Sequence, residues 1–128
     1  MTCPCGSGAD YSGCCEPLHL GRPANTAEAL MRSRYTAFAL GWEAYLLASW
    51  HPSTRPATLD LDLADGRVWR KLQIVDTVAG GPDDDTGVVE FRAAYRDADG
   101  TAGVLHERSR FSRVDGRWAY LDGVTSQP

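Results

Sequence analysis

The sequence has no apolar run approaching the roughly eighteen residues that a membrane-spanning helix requires, so no membrane partner is expected from it. It is short of lysine, since twelve of its thirteen basic residues are arginine. A net charge of -4 is too small to suggest an acidic tail, and it argues against non-specific nucleic-acid binding by the surface as a whole. Motifs of common catalytic machinery are missing: there is no Gly-x-Ser-x-Gly elbow, phosphate loop, dinucleotide fingerprint or His-Glu-x-x-His. A length of 128 residues leaves room for one domain and none for a second, and 43% hydrophobic with 23% charged residues is the balance of an ordinary globule. No charged-then-apolar leader stands before Cys3, and the expected compartment is the cytoplasm.

Beyond residue 15 there is no cysteine at all. Cys3, Cys5, Cys14 and Cys15 fall in the spacing Cys-x-Cys, eight residues, Cys-Cys. Thiolates are soft ligands that suit zinc, and four of them close a tetrahedral structural site with no open position for water or substrate. Gly6, Gly8 and Gly13 give the intervening residues the freedom to fold back and bring the second pair onto the first. The stretch is too short to bury a core, so metal has to hold it; structural zinc contributes roughly 10–16 kcal/mol in small peptide sites. Disulfides are the poorer reading, because pairs at i,i+1 or i,i+2 are awkward to bridge. A catalytic dithiol is normally spaced Cys-x-x-Cys beside a strand and helix, which is absent. A reducible or iron-binding site is the remaining alternative. His19 lies close by, but four thiolates already saturate zinc, which leaves it a packing or surface role.

Pro17 and Pro23 predict an extended connector over 16–24. A helix is expected over 26–40, with Asn25 as its cap and Glu28 closing a capping box. Leu30, Met31, Tyr35, Phe38 and Ala39 form its apolar stripe, flanked by Arg32 and Arg34, and Gly41 ends it. A second helix over 42–50 carries Trp42, Tyr45 and Leu46 on one side and stops at Pro52. The Pro-flanked segment 51–56 reads as a rigid corner or a functional loop, and 57–66 as a short strand or one helical turn. From Val68 the period becomes two. Leu72, Ile74 and Val78 alternate with polar residues; Val89, Phe91, Ala93 and Tyr95 share a face; Leu105, Glu107, Ser109 and Phe111 oppose His106, Arg108 and Arg110. Asp115-Gly116 is a strong hairpin signal before Trp118, Tyr120 and Asp122. The fold class is therefore α+β: two helices packed on a curved antiparallel sheet of about four strands.

That arrangement brings polar groups among apolar ones. Glu107, Ser109, Tyr120 and Asp122 would face the helices, with Arg32, Arg34, Tyr35 and Tyr45 as donors to the buried carboxylates, which makes a candidate pocket or a structural ion-pair network. Arg108, Arg110, Arg113 and Arg117 form either a solvated strand face or a patch for an anionic partner such as RNA.

The stretch from Cys3 to Cys15 resembles the SEC-C motif, the small zinc-binding module found at the end of the preprotein-translocation ATPase SecA, and its four cysteines match that motif's ligand positions. The run over 17–38 resembles the YchJ-like family, and the likeness continues through Trp-His-Pro-Ser-Thr-Arg-Pro at 50–56 and His-Glu-Arg-Ser-Arg-Phe at 106–111. The resemblance implies a zinc knuckle over 1–20 ahead of a nuclear-transport-factor-2-like (cystatin-like) cone over 21–128. It supplies a fold and a metal but no reaction. SEC-C modules in SecA are associated with the chaperone SecB and the ribosome, so the leading expectation is a protein or ribosomal partner docked on the knuckle. A small-molecule binder or enzyme working in the cone stands second, and an RNA-binding accessory protein third.

Overall fold

The computed structural model describes residues 2–59 and 67–126, and the strand or turn expected over 57–66 lies, from residue 60 on, outside the described residues. After a 3-10 turn at Tyr11–Gly13 come helices α1 (Glu16–His19), α2 (Ala27–Leu40) and α3 (Glu43–Ala48), then strands β1 (Val68–Ala79), β2 (Thr86–Arg96), β3 (Ala102–Val114) and β4 (Arg117–Ser126). The strands pair in the order β1-β2-β3-β4, all antiparallel, which is the expected meander. No helix among the described residues is long and apolar enough to cross a membrane.

Three local expectations need correction. The connector is not extended throughout, because Pro17 sits in the first turn of α1, where its missing N–H would have had no helical acceptor anyway. The cap of α2 is Thr26, whose Oγ1 accepts from Ala29 N at 3.0 Å. Asn25 lies one residue outside, its carbonyl accepting the Trp118 indole N–H at 3.3 Å, and Glu28 pairs with Arg32 instead of closing a box. Gly41 ends α2 as expected, with φ 79° and ψ 28° in the left-handed region. Asp115 and Gly116 both take positive φ, 50° and 82°, in the tight turn between β3 and β4.

Bulges reset the alternation of two strands. In β1, Ile74 pairs with Phe91 and Asp76 with Glu90, so Val75 is the extra residue; Thr77 then opposes buried Val89, and Val78 turns outward at 48% exposure. In β4, Phe111 pairs with Tyr120 but Arg110 pairs with Asp122, which makes Leu121 the extra residue. The corner at 51–56 secures that irregularity. His51 N donates to Tyr120 O at 2.7 Å, Tyr120 N donates to Ser49 O at 2.9 Å, and Thr54 Oγ1 donates to Leu121 O.

Helix α2 is the centre of the molecule. Leu30, Met31 and Tyr35 join Leu72, Val89, Phe91, Phe111 and Trp118 in one buried cluster that also contains Cys3, Cys5, Tyr11 and Cys15. Burying a residue such as Phe111 stabilises the fold by roughly 1.5–3 kcal/mol. Ser33, Thr36 and Ala37 are buried as well, so α2 is covered by the sheet on one side and by the amino-terminal segment on another.

Candidate metal centre and cavity

The amino-terminal hairpin starts with Cys3 N donating to Ala9 O at 2.9 Å, and it turns through Gly6 and Gly8, both at positive φ. The 3-10 turn then delivers Cys14 and Cys15. The four sulfurs lie within 4.8 Å of one another, with no disulfide among them; Cys3, Cys5 and Cys15 are buried and Cys14 is half-buried. Sulfurs around a single zinc at about 2.3 Å would stand about 3.8 Å apart, and the Cys5–Cys14 separation is 3.6 Å. The donor set and its size fit one closed metal ion.

Neighbouring groups tie this centre to α2. Thr36 Oγ1 donates to Cys15 Sγ at 3.4 Å and lies 3.8 Å from Cys3 Sγ, while Ser7 Oγ is 3.1 Å from Cys14 Sγ. Arg32 Nη1 donates to Cys5 O at 2.8 Å. His19 is outside the sulfur cluster: its Nδ1 lies 2.7 Å from Tyr11 Oη and its Nε2 2.8 Å from Ser33 O, with the rings of Trp42 and Tyr45 against it. Burial lowers its pKa, which favours the neutral ring. A hydrogen bond from Cys15 lowers the Cys5 thiol to about 4, and the same bond raises Cys15. Thr36 and Ser7 were not foreseen; small hydroxyl residues at 33 and 36, on the helix side opposite the apolar stripe, were the available signal.

The structure divides the eight residues of the expected pocket. Arg34, Tyr35, Glu107 and Tyr120 line a cavity of about 200 Å³ between α2 and the sheet, whose apolar walls include Phe38, Trp69, Phe91 and Leu105. Ser109 lies beside it and donates to Glu107 Oε2 at 2.5 Å, and Tyr120 Oη donates to the same oxygen at 3.2 Å. Gly123 leaves room for that carboxylate, because a Cβ there would fall on it. The other three point elsewhere. Arg32 serves the knuckle, and Tyr45 Oη lies 2.7 Å from Ser33 Oγ. Asp122 is turned to the outer face by the bulge at Leu121 and pairs with Arg110. Burial pushes Tyr35 up to about 12 and raises Tyr120 as well.

The arginine run near the carboxyl end is occupied. Arg108 pairs with Asp76 and Glu90, and Arg110 with Asp122. Arg113 donates to the carbonyls of Gly81, Pro82, Asp84 and Gly116, and Arg117 to that of Gly21. His106 Nε2 lies 2.7 Å from Glu90 Oε2 on the outer face, away from Glu107 as strict alternation requires.

A family model described as the YchJ middle NTF2-like domain matches residues 26–123. The chain is 56% identical over 122 residues to a UPF0225 protein of Streptomyces coelicolor, covering 94% of this chain and 93% of that one. With a UPF0225 protein of Chromobacterium violaceum it is 52% identical over 128 residues, covering 97% and 93%. The solution structure of a SEC-C motif containing protein from Rhodopseudomonas palustris is similar at TM-score 0.83 and 36% identity, over 99% of this chain and 100% of that one. The crystal structure of a SEC-C motif containing protein from Psychrobacter arcticus follows at TM-score 0.77 and 29% identity, over 100% and 84%.

Proposed function

The chain belongs to the YchJ family of SEC-C motif proteins with an NTF2-like domain, and from that premise we propose that it is a zinc protein whose knuckle and neighbouring groove dock a protein partner. The observation that carries this reading is the closed set of four sulfurs, which shapes a surface but offers no vacancy for chemistry. Cys3, Cys5, Cys14 and Cys15 are the proposed ligands. Zinc is the proposed ion because four thiolates close a tetrahedral structural site around it and the relatives in solved structures are SEC-C motif proteins. Unlinked thiols support a reducing compartment, the cytoplasm. The proposed division is a knuckle over 1–20 and an NTF2-like body over 21–128.

A groove of about 950 Å³ runs from α1 past α3 to the turn between β3 and β4, lined by Leu18, Leu20, Trp42 and Trp118 among others. Leu20 and Trp42 are 79% and 42% exposed in it. Apolar side chains so exposed beside a rigid head suit the buried centre of a protein contact. The test is capture from lysate with metal-loaded protein, chelated protein, and the pair Leu20→Ser and Trp42→Ser. A specific protein partner should be lost with chelator and weakened at least about ten-fold by the surface changes. Equal recovery in all arms overturns the docking role, and recovery of ribosomes through RNA, abolished by ribonuclease, moves it to a different partner.

A further inference from the structure

The cavity between α2 and the sheet contains a buried cation, Arg34, and a carboxylate, Glu107, that do not form an ion pair with each other. Arg34 is 3% exposed, yet no carboxylate among the described residues lies within ion-pair distance of it. Its Nη1 donates to Leu46 O at 2.8 Å and to Ser49 Oγ at 2.6 Å. Its guanidinium carbon stands 4.5 Å from the Tyr120 ring centroid and 5.0 Å from that of Trp50. These contacts fix the plane of the group and use both Nη1 hydrogens. A guanidinium has five N–H donors, so the Nε–H and the two Nη2–H are left without an acceptor among the described residues. No fully buried side-chain nitrogen or oxygen lacks a partner among the described residues, so these nitrogens keep some accessible surface, and the cavity is one that Arg34 lines.

An unpaired cation inside an apolar wall is costly unless an anion reaches it. The free edge of the fork, Nε with Nη2, is an edge that holds a carboxylate by two parallel hydrogen bonds. Burial lowers the Arg34 pKa to about 10, which leaves the side chain charged at neutral pH. The walls of the cavity include Phe38, Trp69, Phe91 and Leu105, surfaces for an apolar body and not for water or inorganic phosphate. A volume of about 200 Å³ exceeds the roughly 150 Å³ of an apolar cavity that takes up benzene, which leaves room for one ring with a carboxylate. Glu107, held by Ser109 and Tyr120, also lines the cavity and would repel a second negative charge.

We propose that this cavity binds a small monocarboxylate with an aromatic or branched apolar body, its carboxylate seated on the Nε–Nη2 edge of Arg34 and dicarboxylates refused by Glu107. The inference is independent of whether the knuckle docks a protein. The full metal-loaded chain is titrated with phenylacetate, phenylacetamide, phenylsuccinate and inorganic phosphate while the indole and arginine N–H resonances are followed by NMR. Phenylacetate should shift Arg34 Nε–H and the indoles of Trp50 and Trp69, which line the cavity, and leave Trp42 and Trp118 unmoved. It should saturate with a Kd of about 1 mM or tighter, and the amide should bind about ten-fold more weakly for want of the charge-assisted pair. Phosphate and phenylsuccinate should fail. Glu107→Gln should tighten phenylacetate and admit phenylsuccinate, and Arg34→Gln should erase the preference for acid over amide. If Arg34→Gln does not fold, the Glu107→Gln comparison still decides. Equal response to acid and amide, no response up to about 10 mM, or shifts confined to Trp42 and Trp118 each overturn the proposal.

Discussion

Cys14→Ser should abolish stoichiometric metal binding and free residues 2–20 while the four strands stay folded. Cys14 is the half-buried member of the cluster, so the substitution opens no void in the core and acts through the lost ligand. Without the ion, the amino-terminal segment has too little apolar area to hold its hairpin by itself. Beyond the packing of Cys3, Cys5, Tyr11 and Cys15 in the common cluster, its hydrogen bonds to α2 are few: Arg32 to Cys5 O, His19 to Ser33 O, and Thr36 to the two sulfurs. Each is worth about 1 kcal/mol net, so the body should lose about 3 kcal/mol, a fall in Tm of about 10 °C for a chain of this size. Val89, Phe91 and Phe111 lie between α2 and the sheet, and amide protection in β2 and β3 should survive. Metal content, limited proteolysis and hydrogen exchange read the three parts separately. Simultaneous loss of protection in β2 and β3 would show that 1–20 and 21–128 are one cooperative unit, and a variant that keeps one equivalent of metal would remove Cys14 from the ligand set.

Which features the sequence disclosed follows from how local their physics is. Cys3, Cys5, Cys14 and Cys15 are drawn together by a short loop with two left-handed glycines, so spacing alone pointed to the cluster. Asp115-Gly116 and Gly41 were legible because positive φ restricts which residues can stand there. Parity counted along β1 from Leu72 was legible only up to Val75, and along β4 only up to Leu121. Val78 and Asp122 each lie beyond a bulge, at Val75 and Leu121, and both turn to the opposite face from the one expected. Bulges leave no dependable mark in a single sequence, because the partner strand and here the corner at Thr54 stabilise them. Arg32 and Tyr45 miss the cavity for a similar reason. Alternation and helical steps give a face, but only the position of the knuckle decides that one side of α2 is met by sulfur and the other by the sheet. That Arg34 forms no ion pair with a described carboxylate also depends on that packing, since the sequence supplies acids at 107 and 122 that look like its partners, and Glu107 is held by Ser109 and Tyr120 instead.

Gly87→Ala should destabilise the body by about 2–3 kcal/mol, the upper part of the range of roughly 1–3 kcal/mol for overpacking a filled site, and lower Tm by about 10 °C. Gly87 is an ordinary strand residue with no positive φ, so the cost is steric and not conformational. It faces the turn that carries Gly80, whose carbonyl accepts the first amide of α2, from Ala27, at 2.9 Å. A Cβ on residue 87 would stand 2.6 Å from Gly80 Cα, 3.0 Å from Gly80 N and 3.2 Å from Ala27 Cβ. Two of these neighbours are backbone and cannot swing aside, so relief requires the turn or the start of α2 to move. Because α2 also carries Arg34 and Thr36, such a shift would disturb the cavity and the knuckle together. Gly13→Ala is the control: nothing stands within 4 Å of its would-be Cβ and its φ is not positive, so a change within about 0.5 kcal/mol is expected. Thermal unfolding of the two variants decides the matter. A Gly87→Ala protein melting within about 3 °C of the parent, under 1 kcal/mol for this length, would mean that the junction of α2 with the first hairpin yields, and that the helix is held in place by the sheet face and knuckle alone.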